Sequence, residues 1–394
     1  MLRTRFATLE PRLIPGGEPR LCSSPMDKGL DIDELALVGV AHAALNDRPA
    51  LLGGFLQDFL RERAEFSGLA AGQRRLDRLL RHSDLRADWH IADTVGEWLL
   101  NPRNALVMLG TAAYPELLAT IPKPPPVLMV SGDPRYLTLP QVAVVGSRRA
   151  TQAGRDIAYE LARDLTSQGL AITSGLASGI DAAAHRGALD ATGITLAVFG
   201  CGLAHVYPPT HRALAAEISA TGALVSEFPL AARPSRYSFP RRNRIISGLA
   251  LGSLVVEAAL TSGSLITAMQ ALEQGREVFA VPGSVRNALS QGCHALIKQG
   301  AVLTETAADV LRELTGFQGN LPPRPEPAPE TLLDPREQGV LAACDFEACH
   351  FDRLLERTGL TAPELSSILT ALDMKGLVRS DYGGTFVRIA KSRA

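Results

Sequence analysis

Short apolar runs alternate with helix-forming stretches from Gln141 to about residue 316, and that alternation restricts the fold more than any other feature of the chain. The runs lie at 142–145, 171–173, 195–199, 224–225, 253–256 and 278–281, and helical patterns separate them at 157–165, 180–191, 211–220, 242–251, 265–274 and 291–299. Strands that are apolar on both faces, joined by helices, form a parallel sheet covered on both sides. The expected fold class is α/β: an extended Rossmann-like, doubly wound parallel sheet. Its ligand would sit at the carboxyl ends of the strands, where the strand order reverses.

The first run delivers Gly146-Ser147-Arg148-Arg149, followed by Thr151, which can cap a helix reaching Gln168. Turn amides and the positive helix end would then face one point, which predicts an anion there. The sequence satisfies neither GxxxxGK[ST] nor GxGxxG. Arg148 stands at the second glycine position and would obstruct a pyrophosphate approaching the backbone. An arginine there suits a phosphate that stays outside the turn, as in a chain of phosphates passing over it.

The flanks divide the chain. Residues 1–28 are rich in Pro, Gly and Arg without periodicity and are expected to be disordered. From 29 to 113 apolar residues recur at helical spacing, giving a small helical domain of SAM-like type, with Arg74, Arg75, Arg78 and Arg81 as a solvated face. A proline-rich lead-in opens the sheet domain, 114–319; a Pro-rich linker spans 320–331. The last segment, 332–394, shows three helices, the third capped by Thr361 with Glu364, and then a hairpin, which is the winged-helix pattern.

Composition bounds the function. A formal charge of −1 over 394 residues gives no global polyanion signal, so any nucleic-acid site must be a local patch. The cysteines Cys22, Cys201, Cys293, Cys344 and Cys349 form no CxxC pair, which fits a reducing compartment and no metal site. No stretch is long and apolar enough to span a bilayer, so a cytoplasmic protein without cofactor is expected.

Four glycine-bearing loops converge at the strand ends: 146–149; Ser174, Gly175, Ala177, Ser178 and Gly179; 200–202 leading to Tyr207; and Glu257 to Ser264, where Ser262, Gly263 and Ser264 open a helix. The segment after 224–225 adds Arg233, Arg236, Tyr237, Phe239, Arg241, Arg242, Asn243 and Arg244. Arginines interleaved with aromatics suit single-stranded nucleic acid, guanidinium for phosphate and ring for base. Asp181 and His185 lie i, i+4 on one helix face. That spacing suits an acid–base pair or half a metal site, but with no nucleophile and companion base placeable, they are read as shaping a loop, the His donating to the Asp. Glu257 is read similarly, as capping the helix that starts at Gly263.

The motifs VAVVGSRRAT, TSGLASGIDAAAH, GCGL with YPP, FPRRNRIISGLA, SGSLITA, GREVFAVPG and QGCHALIKQGA, in this order, resemble the DNA-processing protein A family, also called Smf. The resemblance covers about 141–303 and extends to the lead-in. It implies a non-enzymatic protein that binds incoming single-stranded DNA in natural transformation and protects it. It also implies loading of the RecA recombinase, displacement of single-strand-binding protein, and a homodimer through Leu289, His294, Leu296 and Ile297. DNA phosphates are expected on Gly146 to Arg149, on the loop from Ser174 to Gly179 and on Arg241 to Arg244. In the winged unit Arg353, Arg357, Lys375, Arg379 and Arg388 are offset by Asp352, Glu356, Glu364, Asp373 and Asp381, so contact with a protein partner or with the chain itself is at least as well supported as duplex reading. The rival class is a nucleoside-monophosphate phosphoribohydrolase, whose catalytic glutamate position falls here on Ala268 or Met269.

Overall fold

The computed structural model describes residues 32–61, 69–82, 85, 88, 90–314, 333–344, 349–375, 377–381 and 384–388. The expected disorder of 1–28 and the linker at 320–331 lie outside the described residues.

The elements run α1 (Ile32–Leu45), α2 (Pro49–Arg61), α3 (Leu69–His82), α4 (His90–Leu99), β1 (Asn104–Met108), α5 (Glu116–Ala119), β2 (Val127–Gly132), β3 (Gln141–Val145), α6 (Gln152–Ser167) and β4 (Ala171–Ser174). There follow α7 (Ile180–Asp190), β5 (Thr195–Phe199), α8 (Arg212–Thr221), β6 (Ala223–Ser226), α9 (Ser238–Leu249), β7 (Gly252–Val255), α10 (Gly263–Glu273), β8 (Glu277–Ala280), α11 (Gln291–Lys298), β9 (Val302–Leu303) and α12 (Ala307–Glu313). The carboxyl-terminal unit holds α13 (Pro335–Ala343), β10 (Cys349–His350), α14 (Phe351–Thr358), α15 (Ala362–Met374), β11 (Val378–Asp381) and β12 (Thr385–Arg388).

The main sheet has the order β1-β2-β6-β5-β4-β3-β7-β8-β9, parallel from β6 to β9, with β2 antiparallel to β6 and β1 antiparallel to β2. From β3 the chain moves outward through β4, β5 and β6, then returns to place β7 on the other side of β3. The reversal therefore falls at β3, the strand that delivers the first turn. β3 through β7 are buried along their whole length, because α5, α9, α10 and α11 cover one face and α6, α7, α8 and α12 the other. A fully buried side chain such as Phe279 contributes about 1.5–3 kcal/mol through this packing.

β1 begins ten residues ahead of the boundary expected at 114, and it belongs to the sheet. Its alternation explains why: Val107 joins the sheet core, while Leu106 and Met108 face α1–α4 together with Val127 and Met129 of β2. The helical region thus packs directly on the outer strands. In the carboxyl-terminal unit Thr361 and Glu364 form the expected capping box, with the Thr361 hydroxyl donating to Glu364 Oε2 at 2.7 Å. The sheet order there is β10-β12-β11. Among the described residues no helix is long and apolar enough to cross a membrane.

Candidate nucleic-acid interface

At the carboxyl end of β3 the turn is strapped by one residue from β7's exit. Ser147 N–H donates to the Glu257 carbonyl at 2.6 Å, while Thr151 donates from its amide (2.8 Å) and its hydroxyl (2.7 Å) to the Glu257 carboxylate. Thr151 in turn accepts from Gly154 N–H at 2.9 Å and caps α6, which ends against Gln168 as expected. Glu257 therefore braces the start of α6, not the helix at Gly263, which Ser262 caps. A Cβ on Gly154 would lie 2.4 Å from the Glu257 carboxyl carbon, so that helix position stays bare. Arg148 and Arg149 emerge exposed from the strapped turn.

The second loop nests against the first. Gly179 has φ 82°, and a Cβ there would meet the Ser147 carbonyl at 2.3 Å. Asp181 is buried and accepts from the amides of Gly175 (3.0 Å) and Ala177 (3.2 Å). Burial pushes its carboxyl up, against the pull of Arg242 and of these amides. His185 does not pair with Asp181: its Nδ1 meets the Thr195 hydroxyl at 2.7 Å, and that hydroxyl donates to Ile172 O, so Nδ1 carries the proton. Burial holds this imidazole neutral, lowered to about 3. The Ser174 hydroxyl donates to Val144 O within the sheet at 2.6 Å, and Gly175 is buried behind the rim, whereas Ser178 is exposed on it.

Helix α9 sorts its polar residues by face. Phe239 packs on Gly200, where a Cβ would come within 2.7 Å of the ring. Its centroid lies 5.6 Å from that of Tyr207, and the Arg148 guanidinium sits 5.3 Å above it. Arg242 runs the other way. Its buried guanidinium donates to the carbonyls of Gly175 (2.8 Å) and Val198, and burial lowers it to about 10. Arg244 is ion-paired with Glu227, and Arg241 pairs with Glu227 (3.2 Å) and reaches Asn46 O at 3.1 Å. Arg241, Arg242 and Arg244 thus hold the fold together here. Arg241 and Arg244, three residues apart, share the side facing Glu227 while Arg242 turns to the loop carbonyls, and each meets an acceptor that no local pattern reveals.

Between these loops lies an open cleft of about 970 Å³, lined by Gly146 to Arg149, Ala177, Tyr207, Arg236, Phe239, Arg242, Asn243, Thr261 to Ser264 and Leu289. Tyr207, to which the third glycine loop leads, and Arg236, in the arginine–aromatic run, both lie on this lining.

Of the residues expected at a dimer face, Leu289, His294 and Ile297 are partly exposed and Leu296 is buried. Leu296 is 4% exposed in the sheet core with Ile297 packed beside it, Leu289 lines the cleft, and His294 Nε2 meets Gly283 O at 3.0 Å. Helix α11 turns its apolar side inward. Among the described residues the exposed large apolar side chains include Met269 and Leu272 on α10, with Ile266 at the edge of the cleft. Ala268 is fully buried, Met269 is 47% exposed, and neither is among the residues lining the cleft.

In the winged unit Lys375 pairs with Glu337 at 2.5 Å, Arg379 with Asp156 on α6 at 2.8 Å, and Arg357 donates to Ala343 O. The outward face of α15 shows Glu364, Ser366, Ser367, Thr370 and Asp373. The unit therefore contacts the sheet domain through a wing strand and presents no cation on its third helix among the described residues.

The model for DNA recombination-mediator protein A matches residues 105–315, more than half the chain and all four loops of the cleft. The chain belongs to that family. The DprA winged helix domain model matches residues 322–384 as well. The DNA recombination-mediator family supplies relatives at high identity. Protein Smf of Escherichia coli is 43% identical over 303 residues, covering 75% of this chain and 80% of the relative. DNA processing protein DprA of Streptococcus pneumoniae is 44% identical over 200 residues, or 51% and 71% of the two chains. The X-ray structure of DNA processing protein A from Streptococcus pneumoniae superposes with a TM-score of 0.58 at 33% identity, covering 72% of this chain and 98% of that one.

Proposed function

We propose that this recombination-mediator chain is a non-enzymatic single-stranded DNA-binding protein. The observation that carries the reading is the stack of Arg148 over Phe239 beside Tyr207, at the mouth of an open cleft where Arg149 and Arg236 are exposed. Guanidinium groups there take successive phosphates and the rings take unstacked bases. Glu257, Asp181 and His185, the residues best suited to acid–base work, are each committed to neighbours inside the fold. In the cell such a protein would protect incoming strands during natural transformation, displace single-strand-binding protein and load RecA.

Fluorescence anisotropy with matched single-stranded and duplex oligonucleotides over a salt series tests the reading. Single strands should bind more tightly, with a steep loss of affinity as salt rises. Equal affinity for the duplex would overturn it, as would release of free base from nucleoside monophosphates.

We place the homodimer face on α10, since Met269 and Leu272 lie three residues apart on its exposed side, clear of the cleft that Ile266 lines. Met269→Glu should weaken dimerisation at least about tenfold in sedimentation equilibrium, as expected for a central apolar contact. An unchanged dimer constant would move the interface elsewhere.

A further inference from the structure

The Gly175–Ala177 backbone is held by side chains from separate elements at four of its six polar atoms. Asp181, at the start of α7, accepts from the amides of Gly175 and Ala177. Arg242, on α9, donates to the Gly175 carbonyl, and a Cβ at Gly175 would lie 2.5 Å from its guanidinium. His211, immediately before α8, meets the Leu176 carbonyl with Nδ1 at 2.9 Å, and since a carbonyl only accepts, Nδ1–H is the donor.

Leu176 has φ 59°, the left-handed region, which costs a non-glycine residue about 1 kcal/mol or more. Two things hold it there: its side chain, 1% exposed and packed with Leu214 and Ala215, and the His211 bond to its carbonyl. The kinked backbone then leads into Ser178 and Gly179. Among the described residues their amides meet no acceptor, and they lie on the rim shared with Ser147. Ile180 N–H, donating to the Ser147 carbonyl at 3.3 Å, locks the two rims together.

We infer that His211 is a positioning residue that presets the second loop for a phosphate of the bound strand, by fixing the Leu176 carbonyl without touching the strand itself. This rests on the single-strand reading proposed above. Asp181 and Arg242 share the task, but both are buried and their loss would disturb folding. His211 is only partly buried, and its one hydrogen bond to the loop makes it the member whose role can be isolated. A loop set in advance binds without a further ordering cost, so its loosening appears as lost affinity.

Asparagine is the conservative replacement, because its Nδ2 stands where histidine Nδ1 stands and can donate to the same carbonyl. His211→Ala should weaken single-strand binding by roughly five- to tenfold, the size expected when one hydrogen bond of about 1 kcal/mol is lost. The slope of log affinity against log salt should stay at the wild-type value, since no phosphate contact disappears. Hydrogen exchange of the 175–180 amides should speed up in the DNA-free protein, and His211→Asn should restore both readouts. A slope reduced by His211→Ala would make His211 a direct phosphate contact and overturn the inference. Unchanged exchange and affinity would overturn it too. Arg148→Ala serves as the control: if it leaves affinity intact, the single-strand reading fails, while the exchange measurement still decides the role of His211.

Discussion

Replacing Glu227 by alanine is expected to cost about 3–5 kcal/mol of folding stability, the range seen when one partner of a buried ion pair is removed. Its side chain is 2% exposed and holds both Arg244 and Arg241. Arg244 is itself 16% exposed, with its Nη1 buried and unpartnered, so losing the carboxylate leaves a buried charge uncompensated. The effect reaches further, because the Glu227 carbonyl accepts from His42 Nε2 at 2.7 Å, and Arg241 also reaches Asn46 and Asp47. Glu227 is the point where the end of α1, the exit of β6 and the face of α9 meet. Burial holds His42 neutral, lowered to about 4, and the carbonyl fixes its proton on Nε2. Urea unfolding of Glu227→Ala and Glu227→Gln measures the effect. Glutamine keeps an acceptor for the arginines and should lose distinctly less. If alanine costs under about 1 kcal/mol, the arginines find other acceptors and this junction does not hold the helical region to the sheet.

Glu227 also marks how far the sequence could be read. Strands and helices of the sheet were legible because a parallel sheet buried on both faces demands continuous apolar runs, and each run at 142–145, 171–173 and 195–199 appears as a strand. The turn at 146–149 was legible for the same reason, as the exit of the central strand. Partners from distant segments were not. Arg241 and Arg244 look like Arg148 in sequence, and only their pairing with a glutamate on another loop separates an inward arginine from an exposed one. Glu257 lies six residues before Gly263 but braces Thr151, 106 residues earlier in the chain. Leu296 shows the same limit for apolar residues, since periodicity marks a buried helix face without saying whether the cover is the same chain or a second copy.

Removing the ring of Phe239 should have the largest effect on DNA binding. A base stacked on an aromatic side chain contributes about 1–3 kcal/mol, so Phe239→Ala should weaken single-strand affinity roughly five- to hundredfold while leaving the salt slope near its wild-type value. Arg148→Ala should behave differently, lowering affinity and also reducing the slope by about 0.7 for the one phosphate contact it loses. Arg148 sits 5.3 Å from the centre of the Phe239 ring, close enough that each orients the other. The double variant should therefore lose less than the sum of the two single losses. Tyr207, its ring centroid 5.6 Å from that of Phe239, keeps a stacking surface in every case, so residual binding is expected. Phe239→Trp separates stacking from packing: it retains a π-face and should bind close to wild type if the ring serves the base. If Phe239→Ala binds as tightly as the wild type, the bases lie outside this cleft. If Arg148→Ala lowers affinity with no change in slope, its guanidinium supports the ring and meets no phosphate.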